Sequence, residues 1–197
     1  MKKIALFLLF TSLSIVALAQ KPNKIIYGDL NYALGTAFVN EGDDLAAAIG
    51  ASFYYQHNHN LYSFRYNLVD DLFGGSPSGE SVRFSRVHEF GLLYGYRWLF
   101  KGSSIALSGG VSLNHYALKL RNGNFEEISN QVGFPVEASV RFFKKRKRRF
   151  RAYYGLIPIG RPTNFGRSLG FKLSANFAER GFFLIGFTYG LGVHKYY

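Results

Sequence analysis

Residues Ile105-Ala106-Leu107-Ser108-Gly109-Gly110-Val111-Ser112-Leu113 put Ile105, Leu107, Val111 and Leu113 on one side of an extended chain and Ala106, Ser108, Gly110 and Ser112 on the other. Alternation with period two marks a β-strand. The first side is hydrocarbon, and the second is too small and too polar for a dry protein core. A strand of this kind holds its apolar side outward, and lipid is the solvent that permits it.

Working upstream, the same alternation recurs. Ile26, Leu30, Tyr32, Leu34 and Phe38 face outward with Asp29 and Asn31 inward. Leu45, Ala47, Ile49, Ala51, Phe53 and Tyr55 oppose Ala46, Ala48, Gly50, Ser52 and Gln56. Tyr62, Phe64, Tyr66 and Leu68 oppose Ser63, Arg65 and Asn67, and Phe90, Leu92, Tyr94, Tyr96 and Trp98 oppose Glu89, Gly91, Gly95 and Arg97. Downstream, Val132, Phe134, Val136, Ala138, Val140 and Phe142 oppose Glu137, Ser139 and Arg141. Leu169, Phe171, Leu173, Ala175 and Phe177 oppose Lys172, Ser174 and Asn176. The last set places Phe183, Ile185, Phe187, Tyr189, Leu191 and Val193 against Gly186, Thr188, Gly190 and Gly192. Each stretch supplies the ~9–11 residues that a tilted membrane strand requires.

Turn signals separate the stretches. They fall at Asn40–Asp44, His57–Asn60, Lys101–Ser103 and Ala178–Gly181, with a long glycine-rich loop over Val69–Ser85 and a polar loop over Arg121–Ile128. From Lys144 to Arg167 the alternation fails, and Pro158 and Pro162 argue against a membrane strand. That region reads as a long connection, with Arg151–Ile157 open as a short extra strand. The fold class is all-β: an eight-stranded antiparallel transmembrane up-and-down β-barrel.

The first residues carry Lys2 and Lys3, an apolar run from Ile4 to Val16 and Ala17-Leu18-Ala19 before Gln20. This is the pattern of a secretory signal peptide, residues 1–19, cut after Ala19. Residues 20–197 then form one barrel domain, exported to the outer membrane of a Gram-negative cell. The chain has no cysteine, which excludes a lipid-anchored N-terminal Cys and any disulfide. Aromatics reach 18% of the chain, enough for interfacial girdles.

An even number of strands puts both termini in the periplasm and the Val69–Ser85 loop outside the cell. A soluble barrel of lipocalin type is the rival, and it predicts the opposite sidedness. Its apolar interior would here have to hold Asp29, Arg65, Glu89, Arg97, Glu137, Arg141 and Lys172.

Glu89-Phe90-Gly91-Leu92-Leu93-Tyr94-Gly95-Tyr96-Arg97 and Val132-Gly133-Phe134-Pro135-Val136-Glu137 resemble segments of the small eight-stranded outer-membrane barrels of the OmpA and OmpX type. The resemblance covers Ile25 to Tyr197. It implies the barrel fold and outer-membrane location, and no single activity. The final Tyr196-Tyr197 is similar to the terminal signal read by barrel-assembly machinery, with Lys195 a departure from plain alternation.

The seven inward charges form the most informative set. In a lumen only wide enough for side chains, they read as an ion-pair network that plugs the barrel, or as the selectivity lining of a small channel. The net charge of +12 is mostly local: seven cations sit in Lys144, Lys145, Arg146, Lys147, Arg148, Arg149 and Arg151. This basic run suits anionic headgroups, a periplasmic polymer or a solvated turn; nucleic acid is implausible as a partner in that compartment.

An enzyme reading would recruit Ser112, His115 and Glu89 as a set acting on outer-membrane lipid, but no hydrolase motif surrounds them. His57 and His59 on one turn lack the further ligands a metal site needs. The expectation is therefore a non-catalytic monomer without metal or cofactor. Its partners are membrane lipid, the assembly machinery during insertion and an unnamed extracellular ligand.

Overall fold

The computed structural model describes residues 24–38, 43–71, 83–120, 125–144, 148–152 and 157–195. The signal-peptide reading of residues 1–19 and the terminal Tyr196-Tyr197 lie outside the described residues. Ten strands follow in order. They are β1 (Lys24–Phe38), β2 (Asp43–His57), β3 (Asn60–Asp71), β4 (Arg83–Leu99), β5 (Ser103–Leu120), β6 (Phe125–Phe143), β7 (Arg148–Ala152), β8 (Ile157–Thr163), β9 (Phe165–Phe177) and β10 (Phe182–Val193).

Eight of them close into a barrel in the order β1-β10-β9-β6-β5-β4-β3-β2, and β7 and β8 pair separately as a two-stranded sheet. Every pairing is antiparallel. Following the register from Asp29 through Ser52, Arg65, Gly91 and Ser112 reaches Gly133 on β6. Going the other way through Gly190 and Ser168 reaches Phe143, ten residues further along the same strand. That stagger tilts the strands by about 40° and leaves an interior that side chains fill.

Alternation places the side chains as the sequence predicts. On β10 and β9 buried and exposed positions alternate almost residue by residue. Val111 and Leu113 are 53% and 66% exposed, whereas Ser108 and Ser112 are buried. On β4 the outward apolar run from Phe90 to Trp98 rises ~20–25 Å at this tilt, close to the ~25 Å apolar band of a membrane barrel. At its lower end, Tyr62–Tyr94 and Tyr96–Trp98 ring contacts, with His59 stacked on Tyr96, form an aromatic belt near the end of the barrel that carries the termini. Above it runs a polar row: Tyr66 to His88, the neighbouring His115 to Asn130, and the exposed Arg86–Asp70 ion pair. Hydrocarbon fits between these two borders.

Three boundaries differ from the sequence reading. Val69 is buried and pairs with Val87, so β3 and β4 extend into what reads as the Val69–Ser85 loop. Residues 125–128 likewise belong to β6, which leaves only 121–124 between β5 and β6. The Lys144–Arg167 connection contains the β7–β8 hairpin, with Pro158 and Pro162 in β8, and β9 begins at Phe165. Prolines cost little there because β8 has a single partner, so amides on its far side join no ladder.

Two local geometries close the barrel. Asn58 has φ 58° in the two-residue turn between β2 and β3, a conformation that Asn tolerates. Gly192, at φ +141°, lies in the β1–β10 seam, where a Cβ would come within 2.6 Å of the Tyr27 Cα. Only glycine lets that seam close without strain.

Candidate functional site

All seven charged residues expected inside the barrel are there. Asp29, Arg65, Glu89, Arg97, Glu137, Arg141 and Lys172 are each no more than 5% exposed. Each sits at an inward position of its strand, and the stagger brings strands distant in sequence together across the lumen.

Six of the seven form one chain of alternating charge. Arg141 pairs with Asp29, and Asp29 with Lys172 at 3.5 Å. Lys172 lies 3.5 Å from Glu137, Glu137 3.4 Å from Arg65, and Arg65 2.7 Å from Glu89. The six charges sum to zero, which is how a dry interior tolerates them. Neutral groups complete the valences. The Tyr54 hydroxyl donates to Glu137 at 2.8 Å, the Asn67 and Asn176 amides donate to Glu89 at 2.7 Å, and Lys172 also donates to Ser52 at 3.1 Å.

Arg97 stands apart from this chain. Among the described residues no carboxylate lies within ion-pair distance of it. Its guanidinium donates to Gln56 at 2.9 Å, to Ser104 at 2.9 Å and to the His194 carbonyl at 3.3 Å, and it packs over the rings of Tyr27 and Phe143. The ion-pair network therefore holds six of the expected residues, and Arg97 is a hydrogen-bonded, ring-stacked neighbour.

Apolar layers close the polar chain from both ends. Toward the β1–β2 and β3–β4 connections lie Ala33, Ala37, Ala46, Ala48, Val69, Val87, Tyr116, Phe182 and Leu184. Toward the termini lie Ile25, Tyr27, Tyr54, Leu61 and Ala106. The lumen is thus polar at its centre, apolar toward the β1–β2 and β3–β4 connections, and mixed toward the termini, where the apolar side chains surround Arg97, Gln56 and Ser104. Tyr27 and Tyr54 stack at 4.6 Å, and Arg141 packs over both rings. Sequence reasoning missed these two tyrosines and His194. Parity was the available signal, since Tyr54 lies between outward Phe53 and Tyr55, but flanking aromatics obscure the alternation.

The remaining candidates are not assembled. Ser112 is buried in the lumen beside Asn114 and Asn176, whereas His115 is exposed on the outer wall and bonded to Asn130 at 2.8 Å. Glu89 is committed to Arg65, so Ser112, His115 and Glu89 make no catalytic set. His59 stacks on Tyr96, and the described residues contain no group of three or more His, Cys, Asp or Glu able to hold a metal. Of the basic run, Lys144 is exposed at the end of β6, Lys145, Arg146 and Lys147 lie outside the described residues, and the backbone of Arg148, Arg149 and Arg151 forms β7.

No family model matches the chain, and no curated protein does. Solved structures do. Neisserial surface protein A matches with a TM-score of 0.57 at 13% identity, over 87% of this chain and 99% of that one. The attachment invasion locus protein Ail of Yersinia pestis matches at 0.54 and 8% identity, over 85% and 97% of the two chains. The N-terminal β-barrel domain of Pseudomonas aeruginosa OprF matches at 0.52 and 12% identity, over 87% and 99%. The chain has the fold of the small eight-stranded outer-membrane β-barrels.

Proposed function

We propose that this protein is an integral outer-membrane barrel with a closed interior, acting as an envelope scaffold or as a display platform for its extracellular connections, without transport or catalysis. The observation that carries the reading is the neutral six-charge chain held between two apolar layers. An ion path would need water around those charges, and Arg65, Arg97, Arg141, Tyr27, Tyr54 and Tyr116 are all less than 2% exposed. Barrels of about eight strands are filled by side chains rather than by a channel. Lipid-facing residues such as Leu30, Leu169 and Phe187, 64–66% exposed, support the membrane placement.

In this reading the termini and the β7–β8 hairpin face the periplasm, and the basic run lies beside the inner-leaflet headgroups. The connections 39–42, 72–82, 121–124 and 178–181 face the exterior, where β4, β5 and β6 continue past the polar row. Partners are membrane lipid, the assembly machinery during insertion, and whatever the outer connections contact. Planar-bilayer recording of purified protein tests the closed interior. The expected trace is flat at moderate voltage; steady ion-selective conductance would replace this reading with the channel.

A further inference from the structure

The charge inside the barrel does not balance. Among the described residues four cations face three carboxylates, all buried, and guanidinium groups stay protonated in proteins. The alternating chain is neutral by itself, so the surplus belongs to the end of the lumen where Arg97 lies. There, the guanidinium carbons of Arg97 and Arg141 come within 4.7 and 4.9 Å of the centroid of one ring, Tyr27.

Some nitrogen donors at that point have no acceptor among the described residues. Nε of Arg97 and both Nε and Nη1 of Arg141 are buried without a hydrogen-bond partner, as is the Tyr27 hydroxyl. Arg141 spends its charge on Asp29, which is shared with Lys172. Ring faces attract a cation, but less strongly than a dry interior penalises one without an opposite charge. Two guanidinium groups with free N–H donors, converging on one ring and carrying one surplus charge, specify an anion of single charge. Arg97, Arg141 and Tyr27 are all buried, so the anion must be small.

We propose that the terminal end of the lumen binds one halide-sized anion, chloride in the cell, between Arg97 and Arg141. The ion makes the interior neutral and accepts the stranded guanidinium hydrogens. The inference stands on the interior geometry and is independent of orientation in the membrane and of the scaffold role.

Two measurements test it, with bromide as the probe because it scatters anomalously. Full-length protein refolded into detergent in sodium bromide and crystallised should show an anomalous peak between the Arg97 and Arg141 guanidinium groups. Absence of a peak there, or peaks only beside surface cations, would overturn the proposal. In solution, the unfolding midpoint at constant ionic strength should rise as bromide or chloride replaces methanesulfonate. In Arg97→Gln the apparent bromide affinity should fall by about tenfold or more. A wild-type midpoint indifferent to the anion, or an unchanged bromide dependence in folded Arg97→Gln, would also overturn it. If Arg97→Gln does not fold, the wild-type anomalous map decides.

Discussion

Replacing Glu137 with alanine is expected to lower folding stability by about 3–5 kcal/mol, the cost of breaking a buried ion pair by removing one partner. Glu137 is the central link of the charge chain, 3.5 Å from Lys172 and 3.4 Å from Arg65, and it accepts the Tyr54 hydroxyl at 2.8 Å. Its loss breaks the chain into two fragments, and the surplus inside the barrel grows from one cation to two. Urea unfolding in lipid vesicles, followed by the shift between folded and unfolded mobility on unheated gels, reads the change. The pairwise origin shows in a double-mutant cycle. Lys172→Met alone should also destabilise, because it removes the cation shared by Asp29 and Glu137 in the chain. Added to Glu137→Gln it should restore much of the loss, since the two changes remove opposite charges. Additive losses would mean that the two residues do not form a pair in the folded barrel.

The second large effect belongs to the outer wall. Val111→Arg is expected to cost about 2–4 kcal/mol, the range for a cation facing lipid near the bilayer midplane. Val111 pairs with Leu92, between the polar row at His115 and the aromatic belt at Tyr96, and is 53% exposed to the lipid side. Leu107→Arg should cost less, because Leu107 pairs with Tyr96 itself and its guanidinium reaches the interface. Ser78→Arg, in the 72–82 connection, should change little. Equal tolerance of all three in vesicle folding would mean that β5 does not face hydrocarbon.

Much of this was legible in the sequence because lipid and lumen impose opposite chemistry on alternate residues. Ile105 to Leu113 declares its two faces, and the same parity puts every one of the seven charges inside. Parity carries no information about which strands meet across the lumen. The ten-residue stagger sets that, so the bonds of Arg65 to Glu89 and Glu137, and the lack of a carboxylate at Arg97 among the described residues, could not be read from spacing. The contrast also disappears where strands leave the membrane. Phe125-Glu126-Glu127-Ile128 carries no period-two alternation of apolar and polar residues, so it reads as a loop and is strand. Val69 and Val87 read as loop flanks for the same reason, although their inward side chains form part of the apolar layer that closes the lumen. In β7 and β8 the prolines and cations mask a hairpin held by pairing outside the barrel.

The chain contains one tryptophan, and it reports directly on whether the outer wall lies in lipid. Trp98 points outward, 44% exposed, against Tyr96 in the aromatic belt, just inside the interface at the terminal end. Wild-type protein folded into vesicles should show blue-shifted Trp98 emission. Lipids brominated near the headgroup end of the acyl chain should quench it most, chain-terminal bromines less, and aqueous iodide little. Quenching by iodide with none from brominated lipid would contradict a membrane-spanning barrel with its apolar face outward.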